Sequence, residues 1–107
     1  MRLKKIFYSG DFRHKISELK KYLFVQFGDS FADGTIRAII EGIRKLQDNE
    51  LLGVSVQAMF GVETEYRYIF VAHQYVFYRV TETEIRIVNM YHEREEFMEK
   101  LFGTPSS

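Results

Sequence analysis

The sequence predicts an α+β fold in the order β-α-α-β-β-β, an antiparallel sheet packed on a helical hairpin, with a short C-terminal helix. Three observations predict it. Apolar residues recur at helical spacing through the first half of the chain. From Tyr66 onward the period changes, and three runs rich in β-branched and aromatic residues follow one another across short polar links. The single proline, Pro105, lies at the end, so regular elements run without interruption before it.

The elements follow in order. Leu3–Ser9 holds Ile6, Phe7 and Tyr8 and reads as a strand, punctuated by Gly10 and Asp11. Asp11 is the expected N-cap of the next element. Phe12, Ile16, Leu19, Leu23 and Phe27 recur at steps of four and three, the core-facing stripe of one helix, which Gly28 closes. Asp29 and Ser30 are the expected caps of a second helix with the stripe Ile36, Ile39, Ile40, Ile43 and Leu46. Within it, Gly42 suits close packing against a neighbour, and Gly34 suits a later helix start than Ser30. Val54–Gly61 alternates too briefly to choose between loop and short strand.

Tyr66–Val71, Tyr75–Val80 and Ile85–Met90 then form a meander, linked by Ala72-His73-Gln74 and Thr81–Glu84. Tyr66, Tyr68 and Phe70 share one face of its first strand, and Arg67, Ile69 and Val71 the other. Both faces are largely apolar, so helices cover one and a further helix or a partner covers the other. Glu93–Phe102 is the candidate helix, with Phe97 and Leu101 one turn apart and acidic residues at its start. Residues 1–103 read as one domain and 104–107 as a flexible tail.

With 107 residues, 46% of them hydrophobic, and with 10 Phe and 7 Tyr, the chain has enough apolar mass for a single core. It has no cysteine, which excludes disulfides, thiolate metal sites and cysteine nucleophiles and fits a cytoplasmic setting. No segment reads as a signal peptide or a membrane span. Net charge is zero, with 10 basic and 7 acidic residues in 1–50 and 5 against 8 in 51–107. That balance is not the footprint of a strongly basic nucleic-acid binder. The three histidines, His14, His73 and His92, lack metal-ligand spacing, and no phosphate loop or nucleophile triad is present. No cofactor or metal is expected. His14 and His73 read as surface residues.

One segment carries a more specific signal. Tyr75-Val76-Phe77-Tyr78-Arg79-Val80, the acidic link Thr81–Glu84, and Ile85-Arg86-Ile87 running on to Tyr91-His92-Glu93-Arg94 resemble the closing meander of the RelE/ParE toxins, and the order of elements is similar over nearly the whole chain. The resemblance implies the toxin of a type II toxin–antitoxin module, held inactive by a cognate antitoxin protein. It offers two targets: DNA gyrase on the ParE side, and ribosome-bound mRNA on the RelE side. A homodimer or a toxin–antitoxin hetero-oligomer is implied as the assembly, and a non-toxic RelE-fold binding protein is a third reading.

On the nuclease branch, a metal-independent endoribonuclease, cleavage would need a base or acid, cationic clamps for the phosphate and a proton donor. The residues for these roles are His92 as base or acid, Arg94 and Arg67 on the phosphate, and Tyr91 as donor or stacking ring. Their plainer readings are a local cap for His92 and surface ion pairing for Arg94 beside three glutamates. Before Arg94 the meander holds only Arg67, Arg79 and Arg86 and no lysine, a sparse lining for an RNA-cleaving sheet. The pattern therefore sits closer to the ParE side.

Overall fold

The computed structural model describes residues 3–95. Its elements are β1 (Lys5–Tyr8), α1 (Gly10–Phe27), α2 (Asp29–Arg44), a 3₁₀ turn (Lys45–Gln47), β2 (Val54–Ser55), α3 (Val56–Phe60), β3 (Arg67–Val71), β4 (Gln74–Val80) and β5 (Glu84–His92). The α+β class and the helical hairpin against a sheet match the sequence reading.

The sheet has five strands in the order β1-β5-β4-β3-β2. The meander is antiparallel as expected, but β1 joins it parallel to β5, from Lys5 opposite Glu84 to Tyr8 opposite Ile87. This pairing bridges almost the whole chain, so no local pattern encodes it.

The helix caps differ from the expected ones. Ser9, not Asp11, caps α1: its hydroxyl accepts the Phe12 amide at 3.0 Å and donates to the Val88 carbonyl. Asp11 lies within the first turn, where its charge favours the helix dipole. Gly28 ends α1, as expected, with its amide donating to the Phe24 carbonyl. Its φ of 93° suits a residue without Cβ, and the same residue opens α2 without a side-chain cap. Asp29 and Ser30 are therefore helical, and Gly34 interrupts nothing.

One core lies between the hairpin and the sheet. Phe12, Ile39, Ile43, Leu46, Val76, Tyr78, Ile85, Ile87 and Met90 are buried there, with Ile69 and Val71 packed against them. Ile87 and Met90 reach this face although three residues apart. The β4–β5 register shifts between Phe77 and Tyr78, so Val88 is an extra residue that resets the alternation. Past the end of β1, side chains close the open edge of β5: Ser9 on the Val88 carbonyl and Lys15 on the Met90 carbonyl at 2.9 Å. The other sheet face carries a smaller aromatic cluster of Tyr68, Phe77 and Tyr91 with Val56, flanked by Tyr66 and Tyr75.

Val54–Gly61 resolves into a two-residue strand and one helical turn, capped by the Ser55 hydroxyl and ended by left-handed Gly61. The segment before it is clamped. The Gly53 amide donates to the Tyr78 hydroxyl at 3.0 Å, and that hydroxyl donates to the Glu50 carbonyl at 2.8 Å. Arg67 Nη2 donates to the carbonyls of Leu51 and Gly53 at 3.2 and 2.7 Å. β5 is followed by a turn at Glu93-Arg94 rather than the expected helix start, held by the Glu93 amide on the His73 carbonyl at 2.9 Å. The rest of that predicted helix, and the predicted tail, lie outside the described residues.

Candidate functional site: a trough beside the hairpin tip

The first helix packs along β5, but its C-terminal turns carry more apolar residues than the core covers. Its 18 residues span about 27 Å. The stripe predicted to face the core is covered only in part: Phe12 and Leu23 are buried, whereas Phe27 is 61% exposed. Tyr22 and Phe31 are likewise 58% and 53% exposed, and the rings of Phe27 and Phe31 lie 4.8 Å apart. Together with Leu19 and Leu23 they line a cavity of about 460 Å³ between the hairpin tip and the β3–β4 turn. A second cavity of about 370 Å³ continues it along α1 toward Lys15, Glu18 and Glu95. Leu19, Tyr22, Gln74 and His92 line both.

The sequence held a signal for this surface. Positions 22–27 carry five large apolar residues in six, too many for one stripe to bury.

The opposite wall is the tight turn Ala72-His73, where both residues have positive φ, 51° and 63°. Neither is glycine, so the turn holds unfavourable backbone geometry at the rim of the trough. His73 is exposed, as expected, and its Nδ1 lies 2.9 Å from Glu93 Oε1. His14 is exposed too.

The four residues chosen for chemistry do not converge. His92 is half-buried in the trough; its amide donates to Glu95 Oε1 at 3.0 Å, and its Nδ1 accepts the Arg94 amide at 3.2 Å. That bond places the proton of the neutral ring on Nε2. Arg94 is exposed in the turn, and its main chain, not its guanidinium, meets His92.

Tyr91 faces the other side of the sheet, buried with Phe77. Its hydroxyl accepts from Asn89 at 3.1 Å, and the Lys15 ammonium lies 3.4 Å from its ring centre. Burial raises its pKa, the charges of Glu95 and Asp11 raise it further, and the Asn89 bond opposes them. Arg67 pairs with Tyr78 while His92 pairs with Gln74, so the two sit four β4 residues apart, about 13 Å along the strand. Its guanidinium Nη2 is held by the clamp under Gly53, while its Nε is buried without a hydrogen-bond partner among the described residues.

The outward arginines are also engaged: Arg79 with Glu65 at 3.2 Å, and Arg86 with Glu84 at 2.8 Å and over the Phe7 ring. Among the described residues no cluster of His, Cys, Asp or Glu is arranged to hold a metal, and no helix is long and apolar enough to cross a membrane.

The fold and the trough can be set beside known proteins. The family model described as the ParE toxin of the type II toxin–antitoxin system parDE matches residues 6–97.

The chain belongs to the ParE family.

Among solved structures, the ParE-family chain is similar to one from the chromosomal ParDE system of P. aeruginosa, at 15% identity and a TM-score of 0.70, over 84% of this chain and 96% of that one. It is also similar to a chain of the E. coli DinJ–YafQ toxin–antitoxin complex, at 20% identity and a TM-score of 0.52, over 95% and 100%. At these identities the likeness is one of fold. No curated protein sequence matches it significantly. As a ParE-family member, the chain is a type II toxin by family, as the sequence resemblance implied.

Proposed function

We propose that this ParE-family toxin arrests growth in the cytoplasm by binding and inhibiting DNA gyrase, and that a cognate antitoxin silences it by filling the trough. The observation that carries this reading is the row of exposed rings at Tyr22, Phe27 and Phe31 leading into a trough, a surface built for apolar contact. Both solved relatives come from toxin–antitoxin systems, which supports an antitoxin as the occupant. The scatter of His92, Tyr91 and Arg67 over two sheet faces and two ends of β4 supports action by binding rather than by cleavage.

The test is induction of the chain from a tight promoter, alone and with the adjoining small reading frame. Growth should stop on induction alone and resume on co-expression. Plasmid DNA from arrested cells should lose negative supercoiling while mRNA stays intact. Cleaved mRNA, with cleavage abolished by His92→Ala or Arg94→Ala, would overturn the gyrase reading in favour of the endonuclease. Undisturbed growth would leave a non-toxic binding protein.

A further inference from the structure

Gln74 is the only polar residue among the described residues that is almost wholly buried, at 5% exposure. It opens β4 directly after the Ala72-His73 turn, and its main chain is in register with Val71 on one side and His92 on the other. Its carboxamide makes no hydrogen bond to a described residue, yet it is not sealed from solvent: among the described residues the fully buried side-chain nitrogen or oxygen without a partner is Arg67 Nε. An amide that still touches water is free to pair with an occupant, and covering it without a partner is costly. Gln74 lines both cavities of the trough, at the junction of the aromatic end and the charged end.

We infer that Gln74 is the polar anchor of the trough and pairs with a main-chain peptide group of the antitoxin. The inference rests on the reading that the antitoxin occupies this trough. A carboxamide offers one acceptor and a donor beside it, the complement of a peptide unit's N–H and C=O. A lipid, or the aromatic tip of a second copy, would bury the amide further and leave it unpaired. A peptide satisfies both halves of the site: apolar side chains seat on Tyr22, Phe27 and Phe31, and one peptide unit meets Gln74. Peptide groups inside a helix are already bonded to each other. The antitoxin therefore crosses Gln74 in an extended stretch or at a helix end.

The experiment measures binding of the purified product of the adjoining small reading frame to the toxin and to three variants, alongside the melting temperature of each free toxin. Phe27→Ala/Phe31→Ala tests the trough itself and should weaken binding. Gln74→Leu should weaken binding about tenfold or more, since it leaves the antitoxin's peptide group unpaired. It should also leave the free toxin about as stable as before, because the amide makes no bond within the described toxin. Gln74→Met is the second variant and should behave the same way.

Unchanged affinity in both Gln74 variants, with the double alanine variant weakened, overturns the anchor and keeps the trough. Unchanged affinity in all three places the antitoxin elsewhere and overturns both. Loss of folding, or a lower melting temperature in both Gln74 variants, also overturns the anchor, because it makes Gln74 an internal structural residue.

Discussion

Tyr78 is fully buried on the helix-facing side of β4, yet its hydroxyl is the hub of a polar network. It accepts from the Gly53 amide and donates to the Glu50 carbonyl, while Arg67 holds the Gly53 carbonyl from the neighbouring strand. The close approach explains why residue 53 is glycine. A Cβ there would lie 2.6 Å from both the Tyr68 carbonyl oxygen and the Tyr78 hydroxyl. By contrast Gly42, the glycine singled out for close packing, would place a Cβ at 3.6 Å from Ile69, an ordinary contact that an alanine can make. Gly53→Ala should therefore cost about 2 kcal/mol, by forcing backbone and tyrosine apart. Urea unfolding of the variant measures this, and a midpoint equal to the parent's would refute the steric account. The network also reassigns Arg67. A guanidinium bonded to two loop carbonyls acts as a brace, a role invisible in a sequence that offers only an arginine on a strand.

At the scale of elements, the β3–β4 hairpin closes through two residues that both have positive φ. Such turns favour Asn-Gly, because side chains carrying a Cβ resist the left-handed region. Here they are alanine and histidine. His73→Gly should stabilise the fold by about 0.5–1 kcal/mol, because the relieved backbone outweighs an exposed side-chain contact with Glu93 worth a few tenths. A drop in thermal stability instead would show that the His73–Glu93 contact holds the turn more firmly than its exposure implies. The hairpin was legible from its flanking β-rich runs, but its link is one residue shorter than expected. Gln74 looked like turn material and is instead the first residue of β4. Polar side chains mark turns only statistically, and here the hairpin register moves the glutamine into the sheet.

For the molecule as a whole, buried hydroxyls link stability to pH. Burial is the first cause raising Tyr8, Tyr68, Tyr78 and Tyr91 above the ordinary value of 10.0. For Tyr78 the bonds to Gly53 and Arg67 oppose that rise, and the Glu50 charge adds to it. Each group keeps its proton longer when folded, so its contribution is fully present below pH 10 and is lost as pH rises through the folded-state value. The melting temperature should accordingly decline from about pH 10 upward. Tyr78→Phe should start lower, through loss of the Gly53 and Glu50 bonds, and decline less steeply. Equal slopes for parent and variant between pH 9 and 11 would show that Tyr78 contributes nothing to the alkaline loss.

The sequence by itself determined the fold class, the two helices, the three meander strands and the toxin family. Each rests on local information: hydrophobic period, turn residues, and a run of about 20 residues with a recognisable pattern. Only the tertiary structure decided the rest. The parallel union of β1 with β5, the bulge at Val88, the exposure of Phe27 and the burial of Gln74 all arise between residues distant in the chain. The helical stripe gave Phe27 a direction but not a cover. Whether an apolar residue meets a core or a partner depends on what the rest of the fold lays over it, which no residue on the helix encodes.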